Sequence, residues 1–215
     1  ILFPGKSQYS NDNFSEGERI LNSINILSWN KTLRAIKKFN PEIFIFKFWH
    51  PFFVPCLYYL IKKIKVKKKI KVIMICDNIK PHEYFPFSDF LIRIIMKLVD
   101  GYIVQSSIVE DELKSYVNNP IYLKKFHPIY NNYPDKIDKD KAREKIKISH
   151  SHVILFFGLI RAYKGLDVLL KSIKNIFLKN KNIMLLIVGE SYENKKKYKK
   201  LIRQTGFQNR IIWID

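Results

Sequence analysis

Short apolar runs alternate with segments of helical periodicity along most of this 215-residue chain, and that alternation limits what it can fold into more than any other feature. Ile43–Phe48 reads IFIFKF, a nearly continuous run of β-branched and aromatic residues, the pattern of a strand buried on both faces. Lys71–Cys76 (KVIMIC), Tyr102–Gln105, Val153–Phe157, Ile183–Val188 and Arg210–Ile214 repeat it. Ser28–Phe39 carries Trp29, Leu33, Ile36 and Phe39 at helical spacing and stops at Asn40-Pro41. Phe52–Ile64, Phe87–Leu98, Ile108–Val117, Leu166–Leu178 and Glu193–Thr205 read as further helices. Alternating strand and helix predicts an α/β chain of βαβ units, with right-handed crossovers and parallel sheets.

The alternation breaks once. Lys125–Asp140 holds His127-Pro128, Asn131-Asn132 and Pro134, which are turn and linker signals, and Lys139–Ile148 follows as a short charged helix. Two units are therefore expected, residues 1–138 and 139–215. Ile1 to Gly5 and the closing run Ile211–Asp215 both read as interior sequence. The first unit is thus expected to lack its start, and the second to stop after its third strand.

Composition excludes several classes. With 47% hydrophobic and 14% aromatic residues, the chain has the apolar content that disordered sequences lack. The two cysteines, Cys56 and Cys76, make neither a disulfide framework nor a zinc spacing, which fits a reducing cytoplasm. The longest uncharged apolar stretch, near Pro51–Ile61, falls short of the roughly 18–20 residues that span a bilayer. Arg93 and Lys97 interrupt Phe90–Val99. His150-Ser151-His152 has metal-like spacing but no acidic or cysteine partner nearby, so no metal site is expected. The absence of a Gly-x-Ser-x-Gly elbow disfavours a serine hydrolase.

The segment with most chemistry is Leu155 to Leu170, where an apolar run enters a loop with two cations and then a helix. Ligands of open parallel sheets sit at the carboxyl ends of strands, and a helix N-terminus there favours phosphate. Arg161 can grip phosphate oxygens with a bidentate fork, while Lys164 supplies a compact charge. Gly158 allows backbone to approach a ligand closely, and Gly165 relieves crowding where the helix begins. The order Lys164-Gly165 is wrong for a P-loop, and no Gly-x-Gly-x-x-Gly is present. Ordinary kinases, NTPases and dehydrogenases are disfavoured.

Gly158 to Gly165, with its flanking run and the Leu169-Leu170 helix, resembles the Gly-x-x-Arg-x-x-Lys-Gly signature of family 4 (group 1) glycosyltransferases. Leu185-Leu186-Ile187-Val188-Gly189-Glu190 is similar to the second strand and turn of that family's nucleotide-sugar domain. The resemblance implies a GT-B fold, two Rossmann-like domains facing a cleft, the second incomplete here. It implies transfer of a sugar from a nucleotide-diphosphate-sugar to an acceptor hydroxyl, with retention and without a metal or other cofactor. Arg161, Lys164, Gly158 and Gly189 would then serve the donor diphosphate, with the two cations stabilising the leaving nucleotide as charge develops.

The first unit carries a second likeness. Asp77-Asn78-Ile79-Lys80-Pro81-His82-Glu83 resembles a strand-end segment that the family usually writes His-Asn-x-x-Pro-His-Glu, with Asp77 standing where many members have histidine. Asp77 and His82 are the implied catalytic pair, and Glu83 and His50 the implied acceptor-side residues. Asp77 would orient a hydroxyl or stabilise an oxocarbenium-like centre, and His82 would carry a proton. A local structural role, with His82 holding the loop and Glu83 capping a helix, is the alternative. Phe48-Trp49-His50-Pro51, Asp100 to Ser106 and Phe126-His127-Pro128 occur in the family's order; Trp49 reads as core or wall and His127 as structural. The family's N-terminal glycine loop and its later Glu-x7-Glu segment are absent.

The 39 basic and 19 acidic residues leave a net charge of +20. Lys62–Lys71 holds seven lysines in ten positions, and Lys195–Lys200 five in six. The bland reading is solvated lysine faces. Peripheral contact with an anionic membrane is the partner reading, because such enzymes often take lipid-linked or cell-envelope acceptors. No nucleic-acid motif is present, so no specific nucleic acid is expected. The rival class is a non-catalytic basic module that binds nucleic acid or anionic lipid. A nucleotide-sugar epimerase on a similar scaffold is a third reading.

Overall fold

The computed structural model describes residues 20–66, 70–129, 134–148 and 152–215. The chain divides after Ile129 into two compact units.

The first unit runs α1 (Ile26–Phe39), β1 (Ile43–Phe48), a 3-10 turn at Pro51–Phe53, α2 (Val54–Lys65), β2 (Lys71–Cys76), α3 (Ser88–Met96), β3 (Gly101–Val104), α4 (Ser107–Tyr116) and β4 (Tyr122–Lys124). Its four strands are parallel in the order β1-β2-β3-β4. Local chemistry sets the helix ends. The Asn25 side chain accepts from the Leu27 N–H at the start of α1, and Asn40 closes it in the left-handed region at φ 59°. Ser106 caps α4 by accepting from the Val109 N–H at 3.2 Å. Phe46, Phe48, Val72, Met74, Cys76, Tyr102 and Val104 form one face of the sheet and pack with Leu57 and Ile61 of α2, Ile92 and Ile95 of α3 and Leu113 of α4.

β1 is not buried on both faces, contrary to the reading of IFIFKF. Ile43 and Ile45 are 55% and 57% exposed. β1 lies at one end of the strand order, and its register sets Ile45 beside Ile73 on the face away from that core. β4 is an element that the sequence pattern does not announce. It is held to α4 by Glu110, which accepts from the Tyr122 hydroxyl at 2.6 Å and pairs with Lys124 at 2.9 Å. Lys114, Tyr122 and Lys124 together hold the Glu110 carboxyl down to about 2.

The second unit runs α5 (Lys139–Lys145), β5 (His152–Phe157), a 3-10 turn at Ala162–Lys164, α6 (Leu166–Lys179), β6 (Ile183–Val188), α7 (Lys195–Thr205), a 3-10 turn at Gln208–Arg210 and β7 (Ile211–Ile214). The strands are parallel in the order β5-β6-β7. Leu166, Leu170, Ile173 and Phe177 of α6 and Tyr198 of α7 pack on Leu185 and Ile187 of β6.

Arg210 fastens this unit from inside. It is 8% exposed and lies 4.2 Å from the Phe177 ring centroid. Its guanidinium donates to the carbonyls of Phe177 at 3.0 Å, Asn180 at 2.6 Å and Ile183 at 2.8 Å. Those carbonyls sit where α6 ends and β6 begins, so one cation satisfies the negative end of a helix. Replacing it strands one buried acceptor, the Phe177 carbonyl, and two part-buried ones, those of Asn180 and Ile183. Arg210→Ala is expected to cost about 2–4 kcal/mol in urea unfolding. A loss below about 1 kcal/mol would mean that water replaces the guanidinium.

Candidate functional site

Both units place their chemistry at the carboxyl ends of parallel strands. In the second unit the site starts from two glycines. Gly158 follows β5 at φ 116° and Gly189 follows β6 at φ 149°, both in the region that favours glycine. Gly158 N–H donates to the Val188 carbonyl at 3.0 Å, and Gly189 N–H to the Ile214 carbonyl at 2.9 Å. A Cβ on Gly189 would lie 2.0 Å from the Gly158 carbonyl oxygen, so the backbone that Gly189 admits is that of Gly158. A Cβ on Gly158 would meet nothing within 4 Å.

Pairing continues beyond the strands. Ile160, fully buried, donates its N–H to the Glu190 carbonyl at 2.9 Å and accepts from the Tyr192 N–H at 3.2 Å. The loops after β5 and β6 are thus one two-stranded ledge, joined by an Ile160–Ser191 bridge. Arg161 leaves it in extended conformation at φ −138° and begins the 3-10 turn that carries Lys164. Its guanidinium carbon lies 5.0 Å from the centroid of the Tyr192 ring. Lys164 is exposed, its ammonium 5.2 Å from the ring of its neighbour Tyr163. Gly165, at φ 74°, turns the chain into α6, whose N-terminus has no capping side chain. Two cations and a helix N-terminus therefore meet beside one strand end, an arrangement suited to an oligophosphate.

In the first unit Asp77 follows β2, with its N–H on the Phe48 carbonyl at 2.9 Å. Lys47 of β1 pairs with its Oδ2 at 3.0 Å. Its Oδ1 is buried and is the one buried side-chain oxygen or nitrogen without a hydrogen-bond partner among the described residues. A buried carboxylate oxygen is costly unless something donates to it, so Oδ1 is available to a hydroxyl. Burial, with the Asp77 charge adding to it, pushes the neighbouring Cys76 thiol up to about 12. Cys76 is inert packing.

The segment after Asp77 is held from α4. Glu112 Oε2 accepts from the Ile79 and Lys80 N–H groups at 3.3 and 3.2 Å. His50 caps the 3-10 turn, its Nδ1 accepting from the Phe52 N–H at 3.1 Å, and its ring meets Phe85 edge-on at 4.9 Å. That contact joins the segment after β1 to the segment carrying His82 and Glu83, which are both exposed. Phe87 stands at the N-terminus of α3 without a side-chain bond of its own. Trp49 stacks on Phe53 at 5.0 Å, 39% exposed, and His127 Nδ1 lies 2.9 Å from the Pro128 carbonyl. Lys47, Glu112 and Tyr192 are site neighbours that the sequence reading did not name. Each is a common residue type on a strand, a helix or a loop, and only the fold brings it to a strand end.

Among the described residues no three of His, Cys, Asp and Glu cluster as a metal would need. His150 and Ser151 lie outside the described residues, as do Lys67–Lys69 of the first lysine run and Asn131-Asn132. Of the described lysines of the two runs, Lys62, Lys63 and Lys65 stand at the carboxyl end of α2, Lys71 begins β2, and the rest lie at the beginning of α7, mostly exposed.

The chain folds as two α/β units with parallel sheets, and comparison with known proteins agrees on that fold. Solved structures of similar fold include HepE of Anabaena in complex with UDP-glucose, with TM-score 0.68, 12% identity, and 87% of this chain and 51% of that one covered. Sucrose-phosphate synthase from Thermosynechococcus elongatus gives TM-score 0.61 at 14% identity, covering 87% and 49%. A putative UDP-N-acetylglucosamine 2-epimerase from Listeria monocytogenes gives 0.55 at 11%, covering 91% and 54%. The chain thus spans about half the length of the structures it matches. No curated protein sequence matches it. Residues 138–215 match the family model described as glycosyl transferases group 1.

The glycine geometry separates two substitutions. Gly189→Ala must push the Gly158 backbone aside and is expected to unfold the second unit or lower its melting temperature by many degrees. Gly158→Ala strains only its own φ, at a cost of about 1–3 kcal/mol, and should leave a folded protein. Circular dichroism melts of the two variants check the ranking, and equal losses would contradict it.

Proposed function

We propose that the protein is a glycosyltransferase that moves a sugar from a nucleotide-diphosphate-sugar to an acceptor hydroxyl. The observation that carries this reading is the ledge after β5 and β6, where two glycines form the exits and Arg161, Lys164 and the uncapped start of α6 follow. When the donor's anomeric C–O bond breaks, negative charge grows on the leaving diphosphate. Arg161 offers it a bidentate fork and Lys164 a point charge. Arg161, already held over the Tyr192 ring, stabilises that charge with little reorganising. These cations can neutralise a diphosphate alone, and we therefore infer a metal-independent reaction, with retention at the anomeric carbon as in the family this segment resembles. HepE's complex with UDP-glucose supports a uridine nucleotide as the donor's carrier.

On the acceptor side, we propose that Asp77 Oδ1, buried without a donor, accepts from the attacking hydroxyl and that His82 carries a proton. Glu83 and His50 flank them. Acceptors in cell-envelope polysaccharide or glycolipid synthesis fit a protein working at the cytoplasmic face of a membrane. Tyr84, Phe87 and Phe90 are 93%, 81% and 63% exposed in the same unit, and Arg93 and Lys97 follow them. Exposed aromatics beside cations suit the interfacial region of an anionic bilayer. No helix among the described residues is long and apolar enough to cross a membrane.

Titration of the full-length protein with UDP and GDP at two salt concentrations tests the reading. The Arg161→Ala/Lys164→Ala variant is expected to bind at least about tenfold more weakly, each lost charge-assisted bond counting for about 1.5–3 kcal/mol. Absent nucleotide binding, together with salt-sensitive binding of both proteins to RNA or phosphatidylglycerol vesicles, would establish the basic binding module instead.

A further inference from the structure

We infer that Tyr192 is a positioning residue for Arg161: its ring holds the guanidinium at the end of β5, where the donor diphosphate is read. The inference rests on the donor-site reading above and adds a residue to it.

Two cations occupy the loop, and they are held differently. Lys164 lies over the ring of its own neighbour, Tyr163, and is exposed. Arg161 is half-buried and lies over a ring supplied by the other loop, at 5.0 Å from centroid to guanidinium carbon. The backbone fixes that ring. Tyr192 N–H donates to the Ile160 carbonyl at 3.2 Å, one residue before Arg161, and the Ile160 side chain is fully buried. The following turn is closed by Ser191, whose Oγ accepts from the Glu193 N–H at 3.3 Å. Ring and guanidinium thus hang from adjacent positions of one ledge. Within about 6 Å a cation is drawn to the face of a tyrosine ring, and a guanidinium stacks there while its N–H edges remain turned outward. Arginine carries large rotamer entropy in solution, so a side chain already confined loses less on meeting the ligand. Nothing in this role needs the phenolic hydroxyl.

The test is a double-mutant cycle on the full-length protein, with UDP and GDP as probes. Tyr192→Leu is expected to weaken nucleotide binding about two- to fivefold. Tyr192→Phe, which keeps the ring face, should bind like the wild type. Once Arg161 is alanine, Tyr192→Leu should have no further effect. Tyr192→Gln, long and planar but without a ring, should repeat the result if the leucine variant fails to fold. Equal losses in the presence and absence of Arg161 overturn the inference, as does a loss in Tyr192→Phe as large as in Tyr192→Leu. If Arg161→Ala weakens binding but the cycle shows no coupling, the inference fails and the donor reading stands. If the wild type binds neither nucleotide, both fail.

Discussion

The contact between Gly158 and Gly189 is the constraint from which the second unit's site follows. Two parallel strands end level with each other, and their exits approach so closely that a single Cβ would sit 2.0 Å from a carbonyl oxygen. Because neither exit carries a side chain, the loops pair beyond the sheet through Ile160 and Ser191. That extra pairing sets the direction of Arg161, the turn to Lys164 and the entry into α6. A side chain at Gly189 would splay the two exits, and cations at the same sequence positions would then face elsewhere. The glycines therefore shape this strand end through backbone geometry.

Two arginines of this unit show how surroundings divide structure from function. Arg210 is buried and directs its donors to three carbonyls between α6 and β6, which leaves it fixed as part of the core. Arg161 is half-buried at a strand end and stacks on an aromatic ring, with an exposed lysine three positions on. The first arrangement closes a helix end; the second suits an incoming anion. In the first unit the comparable asymmetry lies within one side chain. Asp77 engages Lys47 through one oxygen and leaves the other buried without a protein donor.

Much of the fold was legible because parallel strands are short apolar runs and crossover helices have their own period. Ile43–Phe48, Lys71–Cys76 and Ile183–Val188 begin and end where the alternation put them. β4 was not legible, since a three-residue strand is made by its partner and by the Glu110 pairings rather than by its own pattern. The exposed face of β1 was misread for a related reason: apolar composition records the faces a strand can bury, whereas Ile43 and Ile45 lie more than half exposed on the face away from the main core. At the candidate site, the glycines and cations stood together in sequence and could be read as a unit. Lys47, Glu112 and Tyr192 reach their partners across the fold, and no local spacing announces such pairings. Likeness of fold alone joins a sucrose-phosphate synthase and a putative epimerase among the solved structures, whereas the family model matches through the sequence of residues 138–215.

The central claim is that the ends of β5 and β6 hold the diphosphate of a nucleotide-sugar, and a crystal structure of the full-length protein with UDP tests it most directly. The account predicts phosphate oxygens within hydrogen-bond distance of the Arg161 guanidinium and the Lys164 ammonium, beside the Gly158 backbone. UDP bound elsewhere, with no phosphate oxygen near Arg161 or Lys164, would contradict it.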